Sequence, residues 1–225
     1  MGLFIALEGG DGSGKGTQAA LLEQYFQAQG KHVLHVSFPR HGEFSAIYVQ
    51  KYLNGEYGAA DDVPGDLASL PYAFDRYAAS SEMRTVLENA SGIVIADRYV
   101  ASNLAHQGTK FSNADDRKSF YERMMKTEYE VLGIPKPDIN IVLVVPTHIA
   151  QSNVDKKAVR SYTTKKRDIH EADASHLERA KANYEELTRL YPDKFLAINC
   201  TVNDTSMRSI TSIHTELLEK IKMAR

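Results

Sequence analysis

The chain has 225 residues and a formal charge of -2 at pH 7, so it can bury a substantial core, and no global basic field recruits nucleic acid. Its lone cysteine, Cys200, excludes an intramolecular disulfide and a multi-cysteine metal site, and fits a reducing, cytoplasmic setting. No apolar stretch reaches membrane-spanning length and no basic leader is present, so a soluble, unprocessed protein with neither membrane nor nucleic-acid partners is the expectation.

In chain order, Leu3, Phe4, Ile5, Ala6 and Leu7 make the first of the short apolar runs, which recur at 32–38, 92–96, 139–145 and 195–198. Runs of this length bounded by turn signals read as strands buried on both faces of a parallel sheet. Helical patterns at 15–29, 45–53, 66–89, 115–132, 170–191 and 205–223 alternate with them. The alternation predicts a doubly wound α/β fold, an about five-stranded parallel sheet flanked by helices, whose ligands collect at the carboxyl ends of the strands. A single domain over 1–225 with a small lid at about 147–170 is expected. The turn-rich, acidic stretch 54–66 reads as an exposed loop.

Directly after the first run come Gly9, Gly10, Asp11, Gly12, Ser13, Gly14, Lys15, Gly16 and Thr17. Strand, glycine loop and lysine in this order form a grip for a polyphosphate. Glycines without a Cβ let backbone N–H groups converge on anionic oxygens, and Lys15 brings a mobile positive charge. The helix that follows aims its positive end at the same place. Spacing fits GxxxxGK, but Gly16 stands where Ser or Thr is usual and Thr17 follows one position later, so the hydroxyl ligand for magnesium is displaced.

On the acceptor side, the third run ends in Asp97, Arg98 and Tyr99. An acid at this strand mouth can hold magnesium through water, and a guanidinium beside it can clamp a phosphate with two parallel hydrogen bonds; the same pair could instead cap the next helix. The next turn sets Asn103, His106 and Gln107 on one helical face. Tyr72 and Arg76 share a face of another helix, an aromatic plate beside a cationic fork. A base stacked on such a plate gains about 1–3 kcal/mol. The polar stretch with Lys156, Lys157, Arg160, Lys165, Lys166 and Arg167 reads either as a solvated basic face or, given the glycine loop, as a lid.

Taken together, the glycine loop, Phe38-Pro39-Arg40, Tyr72-Ala73-Phe74-Asp75-Arg76, Asp97-Arg98-Tyr99 with Ser102-Asn103, Pro137-Asp138, and Lys166-Arg167-Asp168 with Glu171 resemble thymidylate kinase in matching order. The resemblance implies phosphorylation of dTMP to dTDP with ATP and magnesium by a cytoplasmic homodimer. It implies thymine stacking on Tyr72, a base or phosphate contact from Arg76, and a dTMP phosphate held by Arg98 and Arg40. Asn103 would read the thymine edge, with Gln107 on the base side and His106, where many relatives carry Tyr, near the sugar. Asp11 would lie near the sugar hydroxyl and, with Thr17 and Asp97, the metal. The family takes a catalytic arginine from the loop or the lid; Gly12 fills the loop position here, so Arg160 and Arg167 are the candidates beside Lys15, with Lys165 and Lys166 assisting.

Gly16-Thr17 is more similar to adenylate kinase, as is Phe38-Pro39-Arg40, although the Asp-Gly that precedes this tripeptide there is missing. Rival readings are a kinase of another nucleoside monophosphate, a deoxynucleoside kinase with Glu8 as base, and, from a different class, a nucleotide-dependent switch or binding module.

Overall fold

A computed structural model describes residues 1–155 and 174–223. Its centre is a five-stranded sheet of β1 (Leu3–Glu8), β2 (His32–Ser37), β3 (Gly92–Asp97), β4 (Ile139–Val144) and β5 (Phe195–Asn199), in the order β2-β3-β1-β4-β5. All four pairings are parallel. The five runs read from sequence are these strands.

Strand pleating divides each apolar run between two cores. Leu3, Ile5, Leu7, Ile93, Ile95, Ile141 and Leu143 face one way, onto Ala19, Leu22 and Phe26 of α1 (Lys15–Gln27). Ile213, Leu217 and Ile221 of the C-terminal helix close the same core. Phe4, Ala6, Val94, Ala96 and Val142 face the other way. That second core is covered by α3 (Gly65–Leu87), α4 (Val100–Gly108), α5 (Ala114–Lys126) and α7 (Ala174–Leu190), while α2 (Ile47–Leu53) packs on α3. Both faces of the strands are therefore apolar, as parallel sheets require.

Several boundaries differ from the sequence reading, each for a local reason. The helix expected at 115–132 is α5 followed by one π-helical turn, Thr127–Val131, and Gly133 at φ 64 ends it. Its start is capped by the Asn113 side chain, which accepts the Asp115 N–H at 2.7 Å. The helix expected from 205 begins later, as α8 (Ile210–Met223), because β6 (Thr201–Val202) and β7 (Ser206–Met207) form a hairpin first. Asn203 and Asp204 take left-handed φ values of 50 and 54 at its tip, a conformation these two residue types tolerate. A further helix, α6 (Thr147–Asp155), opens the stretch expected to be a lid. The rest of that stretch, with Arg160 and Arg167, lies outside the described residues.

Register sets the height of the site. Leu7 of β1 is level with Asp97 of β3, and the Arg98 N–H donates to the Leu7 carbonyl at 2.9 Å. The glycine loop and the Asp97-Arg98 pair thus leave adjacent central strands at the same level, the sheet's carboxyl edge.

Candidate active site

The loop is shaped by Gly9, Gly12 and Gly14, with φ values of 131, 77 and 93. At Gly9 a Cβ would stand 2.6 Å from the Leu143 carbonyl oxygen, and at Gly12 it would collide with that of Ala150, so side chains are excluded by both conformation and space. The α1 helix starts immediately after Gly14, and its first residue, Lys15, is buried with its ammonium on the Gly10 carbonyl at 2.7 Å. Burial, and then the neighbouring Arg98 charge, push the Lys15 pKa down to about 8, against the pull of Asp97, Asp11 and Glu8. Gly16 leaves room beside Asp97: a Cβ there would lie 3.2 Å from the Asp97 carboxylate. Thr17 is exposed on the first turn of α1.

Arg98 sits across from the loop in a left-handed backbone conformation, φ 69, unusual for a side-chain-bearing residue. Its guanidinium donates to Asp11 at 2.6 Å, to the Gly9 carbonyl at 3.3 Å and to Ser102 Oγ at 3.2 Å. Burial opposes its charge, but Asp11, with smaller help from Tyr184 and Asp97, more than offsets that and raises its pKa. Beneath it, Glu8 is fully buried and accepts from the Tyr99 N–H at 2.9 Å and from Ser102 Oγ at 2.6 Å. Burial lifts the Glu8 pKa to about 7 although Ser102 and Arg98 pull it down. Tyr184 of α7 reaches Ser102 Oγ at 2.8 Å, which ties α7 into the same set.

The base side is built from α3 and α4. Arg76 is buried and donates to Glu128 through Nε at 2.5 Å and Nη2 at 2.7 Å. Glu128 more than offsets the burial that would discharge the guanidinium, so the Arg76 pKa is raised. Asn103 is buried on α4, and its Nδ2 donates to the Glu128 carboxylate at 3.2 Å and the Ser69 carbonyl at 3.3 Å. Gln107 accepts the Tyr52 hydroxyl at 3.3 Å, and the Tyr72 ring stands edge-on to Tyr52 at 6.4 Å. His106 Nδ1 lies 3.3 Å from His176 of α7.

These groups line one cleft of about 410 Å³, which contains Asp11, Lys15, Tyr72, Arg76, Asp97 and Arg98 together with Asn103, His106 and Gln107. A smaller void of about 40 Å³ lies behind Gly9 and Gly10, between β4, α6 and α7. Small-molecule sites run to about 300–1,000 Å³, and among the clefts of that size this one holds the glycine loop at the sheet's carboxyl edge, which makes it the candidate. Arg40 is not among the cleft-lining residues: its guanidinium is held by Asp75 at 3.0 Å and Ser45 at 2.8 Å, at the rim beyond Pro39 and His41. Among the partners that organise the site, Glu128, Tyr184 and His176 carried no sequence signal of their own, and Asp75 stood in the Tyr72-Ala73-Phe74-Asp75-Arg76 motif without a role of its own. Each lies far along the chain from the residue it holds.

A strand leading into a glycine loop with a buried lysine, faced by an acid and an arginine from the neighbouring strand, defines an α/β phosphate-loop kinase fold. The family model described as thymidylate kinase matches residues 7–209, and the chain belongs to that family. It is 34% identical over 187 residues to thymidylate kinase of Mycobacterium tuberculosis, covering 82% of this chain and 85% of that protein. To a probable thymidylate kinase of Pyrococcus abyssi it is 27% identical over 223 residues, covering 98% and 96%. Its fold matches that of thymidylate kinase from Candida albicans with a TM-score of 0.71 at 20% identity, over 99% of this chain and 92% of that one. The thymidylate kinase of Ehrlichia chaffeensis gives 0.67 at 20% identity, over 98% of each chain.

Proposed function

We propose that the chain transfers the terminal phosphoryl group of ATP to dTMP, giving ADP and dTDP, in the cleft between the glycine loop and α3–α4. The observation that carries the reading is that Lys15 and Arg98, the cations suited to donor and acceptor phosphates, line the same cleft as Tyr72 and Asn103, the groups suited to a pyrimidine.

The chemistry follows from charge. Two unit charges about 5 Å apart repel by roughly 3 kcal/mol at an effective dielectric near 20, and two polyanionic substrates make several such pairs. Loop N–H groups and Lys15 hold the donor phosphates, and Arg98, freed from Asp11, holds the acceptor phosphate. An acceptor phosphate oxygen attacks the terminal phosphorus in line, and ADP leaves with the bridging oxygen's electron pair. The acceptor is ionised at neutral pH, so no general base is required. This favours a monophosphate kinase over a deoxynucleoside kinase, because both oxygens of Glu8 are already engaged by Tyr99 and Ser102. Arg160 and Arg167 remain the candidates for an additional transition-state cation.

Oxygen donors with space for phosphate beside them suit magnesium, and Asp97 next to the unoccupied Cβ position of Gly16 meets that requirement. Asp97, Asp11 and Thr17 would hold the ion, which when bound would neutralise phosphate charge. A homodimer is supported by the outward face of α3, where Leu67, Phe74 and Tyr77 are 59%, 53% and 52% exposed. Phe74→Glu is expected to shift sedimentation toward the monomer. No helix among the described residues is long and apolar enough to cross a membrane, and a single buried thiol fits a cytoplasmic setting.

The deciding assay supplies ATP with each nucleoside monophosphate in turn and reads the diphosphate formed. Preference for dTMP is expected. Equal rates with all acceptors, or ATP hydrolysis unaffected by any acceptor, would contradict the reading.

A further inference from the structure

Asn103 carries an unusual asymmetry. Its residue is 3% exposed, its Nδ2 has two acceptors, and its Oδ1 is buried with no hydrogen-bond partner among the described residues. Buried amide oxygens are rarely left without a donor unless a ligand supplies one. The two groups on the Nδ2 side, the Ser69 carbonyl and the Glu128 carboxylate, can only accept. Turning the amide over would set Oδ1 against both, so the orientation is dictated by its partners.

The geometry points to Glu128 as a positioning residue that fixes the Asn103 amide with its oxygen toward the cleft and thereby selects the pyrimidine edge accepted there. Glu128 is itself immobilised: it is fully buried and takes both arms of the Arg76 fork, at 2.5 and 2.7 Å. It stands on the π-helical turn Thr127–Val131, an insertion that re-aims a side chain relative to a regular helix. One carboxylate therefore sets two base-side groups, the Arg76 guanidinium and the Asn103 amide. The edge that complements a fixed acceptor is an imide, whose ring N–H lies between two carbonyls, as in thymine and uracil. A cytosine ring presents a lone pair at that nitrogen and meets oxygen with no proton between them.

This inference rests on the proposed dTMP kinase activity, and its test separates the two. Steady-state kinetics with ATP and either dTMP or dCMP are measured for the wild type, Glu128→Gln, Asn103→Ala and the double variant. In Glu128→Gln a neutral amide can donate to Asn103, which frees it to turn over. The ratio of kcat/KM for dTMP over dCMP is expected to fall by roughly tenfold or more, mainly through KM for dTMP, with KM for ATP within about twofold of wild type. In the Asn103→Ala background the same substitution is expected to lower the ratio far less, because of the two groups it positions only the Arg76 guanidinium remains. Glu128→Asp keeps an acceptor-only group and is expected to raise KM for dTMP while retaining the preference. A folded Glu128→Gln with the wild-type ratio, or an equal fall in the ratio with and without Asn103, overturns the inference. If Glu128→Gln does not fold, loss of the preference in a folded Glu128→Asp overturns it. A wild type that fails to phosphorylate dTMP overturns the kinase reading and this inference with it, whereas dTMP activity with an unchanged ratio in Glu128→Gln overturns only the role of Glu128.

Discussion

Arg98 is placed by backbone conformation as much as by partners. Its left-handed φ of 69 costs an L-residue about 1–2 kcal/mol, and the site bears that strain to aim the guanidinium at the loop. Removing the side chain should lower turnover by about 100- to 1,000-fold, as loss of a transition-state charge partner does. Arg98→Gly and Arg98→Ala should be equally inactive, but the glycine variant should be more stable by about 1 kcal/mol, since only alanine retains the strain. Urea unfolding of the two variants measures that difference, and equal midpoints would show that the backbone is not strained. The glycine loop was readable at this scale because positive φ and close backbone approach admit little else than glycine. The Arg76–Glu128 pair was not, since 52 residues separate its members and no local pattern announces a buried charge. Breaking such a pair on one side costs about 3–5 kcal/mol, which is why folded state must be checked in every Glu128 variant.

Among elements, the five strands of the central sheet were legible, whereas the β6–β7 hairpin and two helices were not. Buried parallel strands declare themselves as continuous apolar runs. In contrast, α4 is nine residues long, too short for its alternation of Val100, Ala101, Leu104 and Ala105 with Ser102, Asn103 and Gln107 to establish a helical period, and it is buried on the polar face as well as the apolar one. Sequence reading recovered only the single face of Asn103, His106 and Gln107. Nine residues long, α6 shows one strongly buried apolar anchor, Ile149, and polar neighbours that read as the start of a lid. Its importance lies in contact rather than composition. Gly12 abuts the Ala150 backbone, and Asn153 Nδ2 donates to the Gly12 carbonyl at 2.9 Å. Gly12→Ala must move α6 or abandon the loop conformation, because its Cβ would strike backbone and its φ of 77 is unfavourable for alanine. ATP affinity is expected to fall at least about tenfold in calorimetric titration while the thermal unfolding midpoint changes by only a few degrees. Unchanged affinity would show that the loop does not depend on this contact.

For the molecule as a whole, the site leaves a signature in pH-dependent stability. Glu8 titrates near 7 when folded against 4.5 for its ordinary value, so its proton favours the native state. The contribution is complete below pH 4.5, declines as pH rises through the interval, and is gone above 7. A shift of this size is worth about 3 kcal/mol at most. Glu8→Gln, which keeps an acceptor for the Tyr99 N–H, should flatten the decline in unfolding free energy between pH 5 and 7, about the width of that window. An identical slope in wild type and variant would move the buried charge elsewhere.

The junction of Gly12 with α6 also bears on timing. A loop resting on slack chain would absorb an arriving triphosphate silently, but this one meets α6 through the Ala150 backbone and the neutral amide of Asn153. A displacement of the loop by the donor would therefore reach α6 through packing and one neutral hydrogen bond, contacts that salt does not screen.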